Sequence, residues 1–251
     1  MPESYLLVDN SNTRTKFLLC RGEEAMELRI VPTAEVSVAR VCDVVAGWQF
    51  DSVVLCSVVP AAARVISTAF AGYAIKLVSA ADVQEIDFNS YPGISTLGAD
   101  RVANALALLV NASLPAVAVD FGTAVTFDVV VPQHSRPRFA GGVIIPGCRT
   151  FAESLHLRTA LLPAGVTLEK NCPVIGRTTQ EAMVSGVRIG YVGMIDALLD
   201  GIEAELGEPL HVVLTGGDAE LMATFMRRSC KVEPAHTLQG IALAAGYRLR
   251  V

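Results

Sequence analysis

One short pattern occurs twice in the chain and constrains the fold more than any other feature. Residues 8–19 read V-D-N-S-N-T-R-T-K-F-L-L, and residues 119–130 read V-D-F-G-T-A-V-T-F-D-V-V. In each copy an apolar strand ends in Val-Asp, a turn of small residues with Thr follows, and a second apolar strand returns, which predicts a β-hairpin. The copies lie about 110 residues apart, so the sequence predicts two related domains rather than a solenoid of short repeats.

The length of 251 residues fits one large domain or two domains of about 120 residues each. With the repeat, we expect an N-terminal domain at residues 1–112 and a C-terminal domain at residues 113–251. Hydrophobic residues make up 52% of the chain and charged residues 18%, which is enough apolar surface for a large core. Strands that alternate with helices predict an α/β fold with crossover connections.

Charge and cysteine usage argue against several classes of function. The net charge of −5 argues against a nucleic-acid partner, which requires a basic face. None of the six Cys forms a C-x-x-C pair, which argues against zinc and predicts reduced thiols in the cytoplasm. No basic segment precedes an apolar run at the N-terminus, so we expect no secretion signal. Polar residues and Pro115 interrupt the most membrane-like stretch, residues 102–119, which predicts helix, loop and strand rather than a membrane span.

Hydrophobic periodicity predicts the elements around the two hairpins. Besides the hairpin strands, we expect strands at 27–31, 52–57, 74–78, 141–147 and 210–214. Helices are expected at 36–46, 60–70, 99–109, 148–158, 179–199, 220–226 and 238–247, and a loop is expected at 159–177. Residues 79–96 are polar and irregular, and loops of this length within a compact chain are often functional.

The two repeated turns each place an acid beside groups that can bind phosphate. In the first turn, Asp9 can hold Mg²⁺ directly or through water, Thr13 and the turn amides can bind phosphate, and Lys16 can reach a terminal phosphate. In the second, Gly122 permits close approach of the backbone and Thr123 offers a hydroxyl. Either turn alone is equally compatible with a polar hairpin end, but two such turns facing each other suit a nucleotide triphosphate.

Two further turns are candidates for binding and catalysis. At residues 215–219, T-G-G-D-A, a Gly-Gly pair between a strand and a helix suits the adenosine part of a nucleotide, or is a simple strand-to-helix turn. Asp100, in the first turn of a predicted helix, could accept the proton of a substrate hydroxyl while Arg101 pairs with an anionic group of the substrate. The alternative is that Asp100 only compensates the helix dipole, worth about 0.3–1 kcal/mol.

Taken together, these motifs resemble those of type III pantothenate kinases, and the resemblance covers nearly the whole chain. The matching segments, in order, are Asp9-x-x-Asn12-Thr13 with Lys16, Tyr91-Pro92-Gly93, Gly98-Ala99-Asp100-Arg101, Asp120-Phe121-Gly122-Thr123-Ala124, Gly141-Gly142 with Pro146-Gly147, Thr179-x-x-Ala182-Met183 with Ser185-Gly186, and Thr215-Gly216-Gly217-Asp218-Ala219.

The resemblance implies an actin-like, hexokinase-like ATPase fold, with two related ribonuclease H-like domains around a nucleotide cleft. It implies a transferase that uses ATP to phosphorylate pantothenate to 4′-phosphopantothenate, the first step of coenzyme A biosynthesis. It also implies a cytoplasmic homodimer that requires Mg²⁺ and a monovalent cation, K⁺ or NH₄⁺.

The same resemblance implies roles for individual residues. ATP binding falls to Asp9, Asn10, Ser11, Asn12, Thr13, Arg14, Thr15, Lys16, Thr123, Gly216 and Gly217. Pantothenate binding falls to Tyr91, Gly98, Ala99, Asp100, Arg101 and Thr179, with Thr179 supplied by the partner subunit and the neighbouring Thr178 as the alternative. Asp100 is implied as the general base, Asp120 as a monovalent-cation ligand and Asp9 as a candidate Mg²⁺ ligand.

One residue departs from the family pattern, because Ser11 stands where the family usually has Gly. Ser resists positive φ, so we expect Asn10 or Asn12 to adopt that conformation. The departure leaves open a second function, a nucleotide-binding accessory protein affecting transcription with little kinase activity. A third possibility is a kinase of the same fold acting on another small hydroxyl compound. The Asp100-Arg101 pair favours a kinase over a regulator, because a regulator needs no substrate base.

Overall fold

The computed structural model describes residues 3–165 and 172–250, which form two five-stranded sheets and the helices around them. The strands are β1 (Ser4–Asn10), β2 (Arg14–Arg21), β3 (Glu24–Pro32), β4 (Ser52–Ser57), β5 (Ala74–Leu77), β6 (Ala116–Phe121), β7 (Ala124–Val131), β8 (Arg138–Pro146), β9 (His211–Gly216) and β10 (Lys231–Val232). The α-helices are α1 (Val38–Val44), α2 (Pro60–Ala69), α3 (Ala99–Asn111), α4 (Cys148–Arg158), α5 (Thr179–Ser185), α6 (Tyr191–Leu206), α7 (Ala219–Ala223) and α8 (His236–Ala244).

The two sheets have the same topology. The first sheet has the order β3-β2-β1-β4-β5, and the second, read from its other edge, has the order β8-β7-β6-β9-β10. If the strands of each sheet are numbered from one to five along the chain, both sheets have the spatial order third, second, first, fourth, fifth. In the first sheet, β1 to β3 are antiparallel and β4 and β5 run parallel to β1. The predicted fold class, α/β with two related halves, is confirmed.

Strand β1 is buried on both faces of the first sheet. On one face, Leu6 and Val8 pack with Phe17 of β2 and with residues of α1 and α2 that include Val41 and Ile66. Helix α8 also packs against β1 and β4, and helix α3 packs against β4. Because successive residues of a strand point to opposite faces, a strand covered on both sides must be apolar throughout. This explains the uninterrupted apolar run that precedes Asp9 in the sequence.

The packing of α8 on α3 brings the last helix of the chain against residues near its middle. A Cβ on Gly240 would overlap the carbonyl of Ala103, so the two helices are in backbone contact at this point. Nearby, Thr237 donates a hydrogen bond to the buried side chain of Asn104 at 2.8 Å. Glycine at position 240 is therefore required by close helix packing.

The described residues divide into two compact units. One unit comprises the described residues of Met1–Ala116, Asp128–Gly141 and Ala235–Val251, and the other comprises those of Val117–Phe127 and Gly142–Pro234. Packing thus groups the C-terminal segment with the N-terminal part of the chain. The linear division at 1–112 and 113–251 stays a prediction.

Most of the predicted elements are present, with a few differences. The single helix expected at 179–199 is interrupted by a π-helical segment, Gly186–Gly190, between α5 and α6. Strand β8 begins at Arg138, earlier than expected, and the two-residue strand β10 was not predicted. The predicted loop at 159–177 has no helix or strand in its described part, and residues 166–171 lie outside the described residues.

One described stretch, Thr179–Leu206, is long and apolar enough to cross a membrane by length and composition. Half of its most apolar window is buried inside the protein. Because core helices pass the same test, this is weak evidence for a membrane span.

Candidate active site

The first predicted phosphate turn, residues 9–16, is closed by hydrogen bonds within the turn and from Thr33. Both the amide and the side chain of Ser11 donate to the carbonyl of Arg14, at 3.1 and 3.0 Å. Thr33, at the end of β3, donates from its hydroxyl to the carbonyl of Ser11 at 2.7 Å and from its amide to the carbonyl of Thr13 at 3.0 Å. No described residue other than glycine has a positive φ. The expectation that Asn10 or Asn12 would adopt one is therefore wrong, because this turn closes with ordinary backbone angles.

Two of the predicted ATP-binding residues, Asn10 and Thr15, have side chains that hold the turn in place. The side-chain amide nitrogen of Asn10 donates to the hydroxyl of Thr15 at 2.8 Å. The side-chain oxygen of Asn10 accepts a hydrogen bond from the hydroxyl of Ser57 on β4 at 2.6 Å. The Thr15 hydroxyl also lies 3.0 Å from that of Thr33. Asn10 and Thr15 are both buried. These bonds tie the end of β1 to β2, β4 and the Thr33 segment.

Asp9 lies at the buried end of β1, directly opposite Lys16 of β2 in the strand register. Its carboxylate accepts a hydrogen bond from the Lys16 ammonium at 2.9 Å, and Asp9 is only 5% exposed. Burying a carboxylate beside a cation reduces the cost of removing it from water. The ion pair therefore places one negative and one positive side chain at the first predicted phosphate turn.

Asp100 occupies the first turn of α3, and Gly98 precedes that helix. The carboxylate accepts a hydrogen bond from the Arg101 amide at 2.8 Å. A Cβ at Gly98 would lie only 2.5 Å from this carboxylate, so glycine makes room for the Asp100 side chain itself. Burial raises the pKa of Asp100, and the negative charge of Asp9 raises it further, against the lowering effect of the Arg101 amide and charge.

Arg101 is anchored to Asp128, which lies on β7 and is completely buried. The Nε of Arg101 donates to a carboxylate oxygen of Asp128 at 2.6 Å. The guanidinium also lies over the ring of Phe139, 5.6 Å from its centroid, and Tyr91 contacts the same ring edge-on at 5.2 Å. Two of the predicted pantothenate-binding residues, Tyr91 and Arg101, are thus linked through Phe139.

The loop that carries Tyr91 is fixed by backbone contacts to the start of β8. Asp87 donates from its amide to the Pro137 carbonyl and accepts at its own carbonyl from the Phe139 amide, at 2.8 and 3.1 Å. The Tyr91 ring lies so close to Gly93 that a Cβ there would be 2.8 Å from a ring carbon. The loop predicted to be functional is therefore an ordered platform for Tyr91.

The second phosphate turn and the predicted adenosine turn are in direct contact. Gly216, at the end of β9, has a φ of +91°, and a Cβ there would lie 2.5 Å from the Asp120 carboxylate and 2.6 Å from the Phe121 carbonyl oxygen. On the other side of the turn, the Thr123 carbonyl accepts hydrogen bonds from the Gly147 amide at 2.9 Å and the Thr150 hydroxyl at 3.0 Å. The structure therefore places Asp120 and Phe121 beside Gly216, with Thr123 in the same turn as Asp120. That these residues bind a nucleotide stays a prediction.

The helix start at residues 178–179 separates the roles of its two threonines. Thr178 is the N-cap of α5, and its hydroxyl accepts a hydrogen bond from the Glu181 amide at 3.1 Å. Thr179 is the first residue of the helix and is exposed. Because a capping hydroxyl is occupied by the helix, Thr179 is the better candidate for a substrate contact.

Three residues of the site were missed by the sequence analysis, namely Thr33, Asp128 and Phe139. Thr33 closes a turn that lies about twenty positions earlier in the chain. Asp128 and Phe139 are embedded in apolar strands, where periodicity indicates core. The only signal available was Asp128 itself, a charged residue inside a five-residue run of otherwise apolar residues at 127–131. Buried acids of this kind are rare unless they are paired.

The described residues include no group of three or more His, Cys, Asp or Glu side chains that could hold a metal ion by themselves. Mg²⁺ binds proteins through one or two carboxylates together with water and substrate phosphates, so Asp9 fits such a site. The Asp120 carboxylate, the Phe121 carbonyl oxygen and the Phe121 amide nitrogen lie close to the same point beside Gly216. Two oxygens of this type fit a hard cation.

Comparisons with known proteins identify relatives over nearly the full length. A family model described as type III pantothenate kinase matches residues 5–201. The type III pantothenate kinase of Akkermansia muciniphila is 43% identical over 98% of this chain and 100% of its own length. That of Methylacidiphilum infernorum is 36% identical, covering 95% of this chain and 86% of its own.

Two solved structures share the fold at low sequence identity. A Campylobacter jejuni protein described as a Baf family transcriptional activator matches with a TM-score of 0.64 at 16% identity, covering 96% of this chain and 97% of its own. The ethanolamine utilization protein EutJ of Carboxydothermus hydrogenoformans gives a TM-score of 0.56 at 15% identity over 97% of this chain and 89% of its own. These likenesses support the fold alone. By the family-model match and the near full-length identity to curated relatives, the chain belongs to the type III pantothenate kinase family.

Proposed function

We propose that Asp100 is the general base in the reaction of this family, the ATP-dependent phosphorylation of pantothenate to 4′-phosphopantothenate. Family membership supplies the reaction, a phosphotransfer to an alcohol group in coenzyme A biosynthesis. The observation that supports the base is the partly buried Asp100 carboxylate, whose pKa burial raises above the ordinary value. An acid that only compensated a helix dipole would be stabilised by solvent, whereas a shifted, partly buried acid beside other charges is typical of functional sites.

Phosphoryl transfer depends mainly on positioning and on offsetting charge. In the proposed mechanism, Lys16, the turn amides at residues 10–15 and Thr123 hold the phosphates, while Gly216 and Gly217 receive the adenosine. Tyr91, Gly98, Ala99 and Arg101 hold pantothenate with its hydroxyl towards Asp100. Asp100 accepts the hydroxyl proton as the hydroxyl oxygen attacks the γ-phosphorus in line. The bond from the γ-phosphorus to the bridging oxygen breaks, ADP leaves with that oxygen, and no covalent enzyme intermediate forms.

Two cations are part of the proposal. Asp9 is the candidate ligand for Mg²⁺, which when bound offsets negative charge on the phosphates. Asp120 is the candidate ligand for the monovalent cation, K⁺ or NH₄⁺, together with the neighbouring Phe121 carbonyl. The close oxygens beside Gly216 support this second assignment.

The proposal includes a homodimer in the cytoplasm, in which Thr179 of one subunit contacts pantothenate bound to its partner. The exposed position of Thr179 at the start of α5 supports this role. Pantothenate, ATP and a second copy of the chain are its partners, with no role for nucleic acid or membrane. The acidic net charge of −5 is consistent with the absence of nucleic-acid binding.

The accessory-protein alternative depended on Ser11 disturbing the first phosphate turn. Ser11 instead closes that turn with two hydrogen bonds and no positive φ. The curated relatives are named as kinases, which supports the kinase and not the regulator. A kinase acting on another small hydroxyl compound is separated from this proposal by a panel of substrates.

A coupled ADP-release assay tests the proposal, with pantothenate present or absent and with K⁺ present or absent. We expect pantothenate-dependent ADP release that K⁺ stimulates. Asp100→Asn should lower kcat by about 10²–10⁴-fold with little change in KM, because general base catalysis contributes that much. Asp82→Asn, an exposed acid in the first turn of a short 3₁₀ helix, serves as the matched control. Unchanged turnover in Asp100→Asn would show that the base is another group.

A further inference from the structure

The ion pair between Arg101 and Asp128 is a deeply buried one. Asp128 has no exposed surface, and the Arg101 side chain is 11% exposed. Transferring two charges out of water costs several kcal/mol per ion, so such pairs are weak contributors to stability by themselves. The single short contact, Nε to the carboxylate at 2.6 Å, nevertheless fixes one position of the guanidinium.

The Arg101 guanidinium is incompletely satisfied. Its Nη2 is buried and, among residues 3–165 and 172–250, has no hydrogen-bond partner. A buried donor without an acceptor is destabilising, and more so when it is charged. Native proteins rarely leave such a donor unpaired, and a bound ligand or an ordered water can supply the acceptor. A carboxylate is the acceptor that matches a guanidinium best in charge and geometry.

We propose that Asp128 is the positioning residue for substrate recognition, and that it orients Arg101 so that Nη2 binds the carboxylate of pantothenate. This inference rests on the proposed function, because it assumes that pantothenate is the ligand near Tyr91 and Arg101. Asp128 does not touch the substrate and acts only through Arg101. Phe139 supports the flat guanidinium from one side, at 5.6 Å from its centroid.

Asp128 also keeps two neighbouring charges apart. Arg101 directly follows Asp100, whose carboxylate already accepts the Arg101 amide. Without a second acid, the Arg101 guanidinium would have Asp100 as its nearest acidic partner along the chain. By holding Nε on β7, Asp128 leaves the Asp100 carboxylate for the hydroxyl proton and the Arg101 guanidinium for the carboxylate of the substrate.

Steady-state kinetics with two substrates test the proposal. One substrate is pantothenate, and the other is its neutral primary amide, which lacks the carboxylate. Wild type should prefer the acid. Asp128→Asn keeps an oxygen acceptor but removes the charge, and we expect KM for pantothenate to rise about tenfold or more, since a charge-assisted hydrogen bond is worth about that factor. KM for the amide should change less than about twofold, and any loss of kcat, caused by Arg101 pairing with the Asp100 carboxylate, should be the same for both substrates.

Asp196→Asn is the matched control. Asp196 is also a buried acid, 3% exposed, that accepts a hydrogen bond from an arginine Nε, that of Arg227 at 3.0 Å. It lies on α6, in the other compact unit. Its substitution tests the cost of losing a buried charge, and the preference for acid over amide should remain that of wild type.

Several outcomes would overturn the inference. A similar KM change for acid and amide would assign Asp128 to general stability. An unchanged KM for pantothenate would show that the Asp128 charge is not needed to recognise the carboxylate. If circular dichroism shows that Asp128→Asn is unfolded, Asp128→Glu takes its place, with a smaller loss of preference expected; failure of both variants to fold would also count against positioning. No preference for the acid in wild type would remove the basis of the inference. Absence of any turnover of pantothenate by wild type would instead refute the proposed function.

Discussion

At the scale of single residues, the environment of Asp100 sets its properties. Burial removes solvent that would stabilise the ionised carboxylate, and the negative Asp9 disfavours a second negative charge nearby. The Arg101 amide and charge act in the opposite direction but are weaker than burial. A base with a raised pKa binds its proton more readily than an ordinary aspartate. The site therefore gains proton affinity at a cost in stability.

This cost predicts a pH-dependent stability difference between wild type and Asp100→Asn. The folded-state pKa of Asp100 lies above its value in the unfolded chain, so the folded state binds the proton more tightly. The contribution of Asp100 to the free energy of unfolding is therefore fully present below its pKa in the unfolded chain. This contribution is lost as the pH rises through its pKa in the folded state. At pH 7 we expect Asp100→Asn to be more stable than wild type, with the difference shrinking towards acidic pH. Urea denaturation of both proteins over a range of pH measures this difference in the free energy of unfolding and its dependence on pH.

Asp82→Asn is the control for this measurement, because Asp82 is exposed. It should leave the free energy of unfolding nearly unchanged at every pH. If Asp100→Asn were instead less stable than wild type at pH 7, the ionised carboxylate would be stabilising, and burial would not be the dominant influence on Asp100.

The residues that sequence reasoning found and missed differ in a physical way. Asp9, Asp100 and Asp120 stand at the ends of apolar runs, where a polar group is conspicuous. Thr33 and Asp128 act through contacts with residues distant in the chain. A hydrogen bond across about twenty or more positions leaves no local pattern, so only the folded chain reveals it.

At the scale of elements, hairpins were predicted well because strand periodicity and turn chemistry agree there. A single helix was predicted at 179–199 because the apolar pattern there is continuous. The π-helical segment Gly186–Gly190 interrupts it, and it both begins and ends with glycine. Glycine weakens the preference for regular α-helix, but periodicity alone does not reveal a change in hydrogen-bond pattern.

The first residues of α5 provide a prediction that separates two neighbouring threonines. Thr178→Ala removes the capping hydroxyl and should destabilise the protein by about 0.5–2 kcal/mol, with little change in KM for pantothenate. Thr179→Ala should leave stability nearly unchanged and raise KM for pantothenate. Thermal unfolding and steady-state kinetics on both variants measure the two effects. The reverse pattern would make Thr178 the substrate contact.

At the scale of the whole molecule, the chain repeats one topology. Both sheets place their first strand in the middle, with the second and third strands on one side and the fourth and fifth on the other. In both sheets the acid is the penultimate residue of that central first strand, Asp9 in β1 and Asp120 in β6. The repeated sequence pattern was sufficient to predict this duplication. The return of the C-terminal segment to the first unit was not predicted, because it depends on helix contacts between distant positions.

The packing of the C-terminal segment on the first unit includes one close backbone contact, between α8 and α3, which gives the final prediction. In Gly240→Ala, the new methyl would overlap the carbonyl of Ala103, so α8 must move away from α3. Overpacking of this kind costs about 1–3 kcal/mol or more, measured by urea denaturation. Gly201→Ala in α6 is the matched control, because a methyl there meets nothing within 4 Å, and it should be neutral or stabilising by up to about 1 kcal/mol. Equal stabilities for the two variants would mean that the packing of α8 on α3 tolerates the methyl, and that the C-terminal segment is not held to the first unit by this contact.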